Sequence, residues 1–225
     1  MATRNAPGTA NMTSTLSEIP PSSRITTTAQ LEAIYGESST PALVKELDHI
    51  SDHYRAFIEK APFVAVASVA DEGLDCSPRG DPAGFIRVLD EKTLLMPDRR
   101  GNNRIDTLRN IVRDPRISLL FLIPGVRETM RINGRAEIII DPQLLQSFEM
   151  KDKLPRSIIA VHVERIYFQC SKAIVRSGLW SVDAQIQRSD LPSTGEMLAA
   201  LLTPDSFDAK AYDQNYPKHM EKTIY

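Results

Sequence analysis

Ser77-Pro78-Arg79-Gly80-Asp81-Pro82-Ala83-Gly84-Phe85-Ile86-Arg87-Val88-Leu89-Asp90-Glu91-Lys92-Thr93-Leu94-Leu95-Met96-Pro97-Asp98-Arg99-Arg100-Gly101-Asn102-Asn103-Arg104 reads as strand, turn, strand, basic loop and the opening of a helix. Arg99, Arg100 and Arg104 surround one glycine and two asparagines where that helix is expected to begin, near Asn102–Arg104. Free backbone N–H groups, the positive end of a helix dipole and guanidinium forks together suit an anion, most naturally a phosphate. Arg79, one hairpin earlier, is placed to close over the same ligand. On spacing alone the same arginines also fit an ordinary solvated turn.

Outward from this stretch the chain reads mainly as strands. Phe63 to Val69 is rich in valine, and Asp71-Glu72-Gly73 is a hairpin turn signal from which the chain returns through Asp75 to Arg79. Gly84–Leu89 and Thr93–Met96 form a second hairpin around Asp90-Glu91-Lys92. A helix from Asn103 to Arg113 is stopped by Asp114-Pro115. Arg116–Ile123 and Glu128–Ile140 read as long strands separated by Pro124-Gly125. Asp141-Pro142 opens a short helix to about Met150, and Ser157–Phe168 is the last strand. Six or seven antiparallel strands with helices at their ends predict a mainly β (α+β) fold, a small split β-barrel with flanking helices.

Upstream, residues 1–28 are rich in Ser, Thr, Ala and Pro and are expected to be a flexible tail. A short helix is expected over Thr28–Tyr35, ending at Gly36. Thr40 as cap and Pro41 in the first position predict a second helix running to Ala61-Pro62, with Leu43, Leu47, Ile50, Tyr54, Phe57 and Ile58 on its apolar face. His49 and His53 are four apart on that helix. No glutamate follows His49 and no third ligand is near, so no metal is expected. Downstream, Cys170–Trp180 is helical or irregular, Thr194–Leu202 a short helix, and the stretch to Tyr225 helical. Residues 29–225 are expected to form one domain.

The net charge of −2 over 225 residues does not provide the broad basic face of a nucleic-acid-binding protein. Two cysteines, Cys76 and Cys170, make no disulfide framework. No apolar run reaches the length of a membrane span and the N-terminus lacks a signal-peptide core, so a cytoplasmic protein without a membrane partner is expected.

The quoted stretch resembles the FMN-binding split-barrel proteins related to pyridoxamine 5'-phosphate oxidase. More narrowly, it is similar to an uncharacterised bacterial oxidase-like subgroup with S-P-R-G-D-P, L-L-x-P-D-R and G-N-N-R. The resemblance extends through Phe121–Gly125, Thr129–Ala136, Lys172-Ala173 and Leu179-Trp180, and covers roughly residues 30–220. It implies an FMN-dependent oxidoreductase acting on a small-molecule substrate, working as a homodimer with the flavin at the subunit interface. It places Ser77, Pro78 and Arg79 along the flavin and its ribityl phosphate, and Asn102, Asn103 and Arg104 on the phosphate loop. The oxidases proper have Ser-Arg-Lys at that loop, so Arg99 and Arg100 are candidates to supply the missing charge. Thr129 and Arg131 match the strand facing the pyrimidine edge of the ring, although an outward-facing strand position fits them too. Lys172 completes the implied cofactor-binding set, and no catalytic side chain is implied because the hydride chemistry is the cofactor's.

The chain departs from the vitamin oxidases in one respect. Phe168-Gln169 stands where they have Trp-Gln, but no Arg-x-His follows here or anywhere in the chain. The substrate grip is absent or rebuilt, with Lys172, Arg176 and Trp180 as candidates, and pyridoxamine phosphate itself is a doubtful substrate. Two other classes stay open: a non-catalytic flavin-binding redox sensor or carrier, and a split-barrel protein using a deazaflavin (F420) or haem. For haem only His162, in the last strand, is a candidate.

Overall fold

The computed structural model describes residues 16–71, 73–203 and 206–225. Residues 1–15 of the expected tail and Glu72 of the expected hairpin turn lie outside these. The chain divides into two units, Met1–Leu43 and Val44–Tyr225. In the first, Leu16–Glu18 and Pro21–Ser23 are single 3₁₀ turns, and α1 spans Thr28–Tyr35. A capping box opens α1: the Thr27 side chain accepts from the Gln30 N–H, and the Gln30 side chain accepts from the Thr27 N–H. Gly36, at φ 68°, closes it as expected.

The helix expected from Thr40 to Ala61 is two helices, α2 (Thr40–Val44) and α3 (Asp52–Lys60). Between them Leu47 and Ile166 exchange both backbone hydrogen bonds, at 2.9 and 2.8 Å. Ser51 then starts a fresh helix, its hydroxyl accepting from the Tyr54 N–H. Apolar spacing could not reveal this break, because Leu47 and Ile50 reach the same core from an extended segment as from a helix. His49 consequently lies outside α3, with Nδ1 2.8 Å from Asp48 Oδ1, and does not share a helix face with His53.

Among the described residues one sheet has seven strands: β1 (Phe63–Ala70), β2 (Gly73–Gly80), β3 (Arg87–Val88), β4 (Thr93–Asp98), β5 (Arg116–Leu122), β6 (Thr129–Ile139) and β7 (Ser157–Gln169). Their order is β2-β1-β5-β6-β7-β4-β3, with every neighbouring pair antiparallel. The remaining helices are α4 (Asp106–Arg113), α5 (Pro142–Ser147), α6 (Lys172–Ser177), α7 (Thr194–Leu201) and α8 (Ala209–Thr223). The fold is mainly β, a split barrel with flanking helices.

Alternation fills the barrel. Val64 and Val66 of β1, Ile117, Leu119 and Phe121 of β5, and Met130 and Ile132 of β6 point inward to one core. Ile58 of α3 and Ile111 of α4 close its ends. Strand β7 is buried on both faces over its first five residues because α5 covers the outside. There Leu95, Phe148, Ile158 and Ala160 make a second, smaller core. A bulge between Asn133 and Gly134 shifts the register against β7. A Cβ at Gly134 would stand 2.0 Å from the His162 carbonyl oxygen, so only glycine admits that approach.

Two predicted elements around the basic stretch differ. The strand expected over Gly84–Leu89 shrinks to Arg87–Val88, because Pro82 and Gly84 shape a turn in which the Phe85 N–H donates to the Pro82 carbonyl at 3.2 Å. The helix expected to open near Asn102–Arg104 opens at Asp106. Asn103 (φ 60°) and Ile105 (φ 54°) hold the preceding loop in left-handed backbone, which ends helical continuation on the N-terminal side.

Candidate functional site

The sheet curls until strands from its two sides line one cavity of about 300 Å³. Pro78, Arg79 and Gly80 of β2 face Pro97 and Asp98 of β4 across it, and the loop from Arg99 to Asn103 forms its rim. Phe85, Ile105 and Leu108 supply an apolar wall, with Arg156 and Ser157 entering at the start of β7. Strand pairing explains the last two, since Ser157 lies opposite Asp98 in the β4–β7 register.

Arg79 is held by a directed chain of hydrogen bonds. Its Nη1 donates to Ser77 Oγ at 2.8 Å and to the Pro78 carbonyl at 3.0 Å. Ser77 Oγ and Thr107 Oγ1 are 2.8 Å apart, and Thr107 donates to Asp75 Oδ2 at 2.6 Å. Thr107 has one hydroxyl hydrogen, committed to Asp75, so Ser77 is the donor to Thr107. The run from Arg79 to Asp75 therefore fixes the guanidinium and ties β2 to α4.

The other cations divide by what holds them. Arg99 donates from Nε to Asp81 Oδ2 at 2.8 Å and from Nη1 to the Phe148 carbonyl at 2.7 Å, which makes it a brace of the cavity wall. Asp81 is almost wholly buried and also accepts from Tyr225 Oη at 2.7 Å. That bond, with burial, holds the Tyr225 phenol above its usual range. Arg156 donates to Asn103 Oδ1 at 3.0 Å and secures the left-handed loop. Among the described residues Arg100 makes no side-chain hydrogen bond or ion pair. Burial raises the Asp98 carboxyl above its ordinary value, opposed by the charges of Arg79 and Arg156. Among the described residues no side chain caps the N-terminus of α4, and its first N–H groups have no side-chain acceptor there.

The residues singled out in the sequence fall into three places. Pro78, Arg79, Arg99, Arg100, Asn102 and Asn103 line the cavity, and Ser77 stands behind Arg79. Arg104 pairs through Nε with Asp106 Oδ2 at 2.8 Å and lines another cleft with Asp75, Arg109 and Arg113. Thr129 and Arg131 lie elsewhere on the sheet. Thr129 pairs with Gln169, at the opposite end of β7 from Ser157, at most roughly 40 Å along the strand at about 3.3 Å per residue. Arg131 Nη1 donates to Tyr167 Oη at 3.1 Å, and with the Gln169 amide oxygen turned toward it Nη2 donates there at 2.9 Å. Lys172, the first residue of α6, is exposed, and Trp180 Nε1 donates to the Val126 carbonyl at 2.7 Å.

Asp98, Ile105 and Arg156 were missed in the sequence. Arg156 is more than fifty positions from the loop it supports and belongs to no local motif, so only the β4–β7 pairing reveals it. A pairing of Arg79 with Asp98 likewise needs the sheet to close.

A curled seven-stranded antiparallel sheet with a cation-lined cavity between its two sides defines a small split-barrel protein. Residues 50–170 match the family model described as pyridoxamine 5'-phosphate oxidase, and the chain belongs to that family. Solved structures with a similar course include HupZ of Group A Streptococcus, at 21% identity over 53% of this chain and 93% of that one (TM-score 0.43). An FMN-binding protein of Syntrophomonas wolfei matches at 10% identity over 52% of this chain and 83% of that one (TM-score 0.41). An FAD-binding protein of Mycobacterium smegmatis matches at 13% identity over 55% and 97% (TM-score 0.39). No curated protein matches the chain. Among the described residues no helix is long and apolar enough to cross a membrane.

Proposed function

We propose that the protein is an FMN-dependent oxidoreductase acting on a small organic substrate, with the flavin phosphate seated between Arg79, Arg100 and the loop at Gly101–Asn103. The observation that carries this reading is the convergence of Arg79, Arg100 and Arg156 on one cavity beside a helix start that no side chain caps. A phosphate carries close to two negative charges and accepts through three oxygens, which suits that donor set. A volume of about 300 Å³ suits the phosphate and ribityl portion, with the ring lying beyond it. Thr129 and Arg131 of β6 pair with the end of β7 remote from Ser157 and line no part of this cavity, which favours a homodimer in which a second copy presents them to the ring.

The chemistry supplied with FMN bound is hydride transfer between substrate and flavin. The chain's own residues bind and orient. Arg79, fixed through Ser77 and Thr107, anchors the phosphate, and Phe85, Ile105 and Leu108 keep water from one side of it. Arg131, already positioned by Tyr167 and Gln169, would stabilise negative charge on the pyrimidine edge. Ionised Asp98 opposes the anion, so its protonation favours binding.

The test is the visible spectrum of the purified protein before and after adding FMN and desalting, with mass spectrometry of the released ligand. Retained flavin absorbance with the mononucleotide released supports the reading. A colourless protein that does not hold added FMN overturns it. Retained F420 in its place would move the reading to the deazaflavin reductase, and retained FMN without turnover on any reductant screened would move it to a redox carrier.

A further inference from the structure

Arg99 and Arg100 also line a second cleft, of about 180 Å³, to which Arg79 does not contribute. Its lining is Arg99, Arg100, Lys153, Leu154, Arg156 and Tyr225: four cations, one aliphatic side chain and one aromatic ring. Among the described residues no carboxylate side chain lines it. Asp81 compensates only Arg99, through the 2.8 Å pair. Arg156 bonds to a neutral amide oxygen, and among the described residues the Arg100 and Lys153 side chains have no hydrogen-bonding or ionic partner. The side-chain charges of Arg100 and Lys153 thus face one small concavity without a side-chain counter-charge, beside Arg156, which shares the charge of Asp98. Mutual repulsion of that kind is relieved by a bound anion.

The walls are fixed rather than draped over the surface. One buried carboxylate, Asp81, takes Arg99 on Oδ2 and the Tyr225 hydroxyl on Oδ1, so a single group sets both the brace of the cavity wall and the aromatic side of the cleft. Lys151 Nζ lies 4.9 Å from the centre of the Tyr225 ring and the Arg99 guanidinium carbon 5.9 Å from it, two cation–π contacts that help to hold the ring. Leu154 and the ring offer an apolar body its place beside the cations.

We infer that this cleft is a second anion site, which takes the phosphate or carboxylate group of a small organic ligand. It shares Arg99, Arg100 and Arg156 with the first cavity, so an anion here holds its carbon skeleton next to whatever fills that cavity. The inference rests on the proposed function for the identity of that neighbour, but the cleft's own chemistry does not depend on it.

The experiment is a calorimetric titration of inorganic phosphate into the full chain, with and without saturating FMN, repeated on Lys153→Met and Lys153→Arg. Lys153 is exposed, so its substitution leaves the fold intact. Phosphate is expected to bind FMN-saturated protein, to weaken about fivefold or more in Lys153→Met, and to recover in Lys153→Arg, with FMN affinity unchanged throughout. Phosphate binding that is indifferent to Lys153, or abolished by FMN, overturns the inference, as does no binding by about 10 mM phosphate. If FMN fails to bind, the proposed function falls while the Lys153 dependence in free protein still decides the second site.

Discussion

Arg79 Nε and Asp98 Oδ1 stand 4.0 Å apart although four strands separate β2 from β4 in the sheet. Curvature alone brings them together, and the contact marks where the split barrel closes. It also sets a competition, because a charged Asp98 attracts the guanidinium that the proposed phosphate needs.

That competition is pH-dependent, with a definite sign. Burial raises the Asp98 pKa above its ordinary 3.8. The folded chain therefore holds this proton more tightly than the unfolded chain, and between 3.8 and the raised value stability falls as pH rises. Anion affinity follows the same direction, strengthening as pH falls through the Asp98 pKa. Sulfate, which does not titrate in this range, is the suitable probe. Asp98→Asn should bind sulfate more tightly near neutral pH and lose the slope that wild type shows in isothermal titrations across the acidic range. An equal slope in the variant would assign it to another group.

Arg79 and Arg104 carry opposite expectations. Arg79→Ala should weaken FMN by about 1.5–3 kcal/mol, roughly 10- to 100-fold, as a buried charge-assisted bond to phosphate does. Arg104→Ala should change it less than about threefold, since that side chain is exposed and pairs with Asp106. Flavin fluorescence quenching reads both. A larger loss at Arg104 would place the phosphate on the outer side of the loop.

How the sequence anticipates this arrangement depends on the range of each interaction. The β1–β2 hairpin, α1 and the long strands β5, β6 and β7 follow from alternation, capping and turn chemistry, all of which act over a few residues. The break at Leu47 does not, because it is enforced by backbone pairing to Ile166 more than one hundred positions away. Arg79, Arg99, Arg100, Asn102 and Asn103 were legible as a cluster because two short motifs carry them. Arg156 and Tyr225 were not, for their neighbours arrive only through sheet closure and the docking of the chain after α8. The separation of Thr129 and Arg131 from the cavity is equally invisible before the β6–β7 register is known.

Gly134→Ala tests the bulge. A Cβ there would meet the His162 carbonyl at 2.0 Å, and the obstacle is the backbone of the neighbouring strand β7 rather than a flexible side chain. Overpacking of this kind costs on the order of 3 kcal/mol or prevents folding. Urea denaturation should show a lower midpoint with an unchanged slope. A shift of only a few tenths of a kcal/mol would mean that β6 re-registers past the bulge.

Ile105 gives the most direct test of strain in the loop. A β-branched residue at φ 54° costs roughly 1–2 kcal/mol, and this one directly precedes α4, where a capping side chain is missing. Asparagine tolerates the same backbone, and its side chain can also accept from the free N–H groups of the helix start. Ile105→Asn should therefore raise stability by about 0.5–1 kcal/mol, less whatever the half-exposed isoleucine contributes to the apolar wall. Because those same N–H groups are offered to the phosphate in the proposed site, the variant should also bind FMN more weakly. Denaturation and flavin titration on one sample separate the two effects: greater stability with weaker binding supports strain kept for the ligand. Greater stability with unchanged binding would show that the helix start takes no part in holding it, and lower stability would show that the isoleucine side chain outweighs the strain of its backbone.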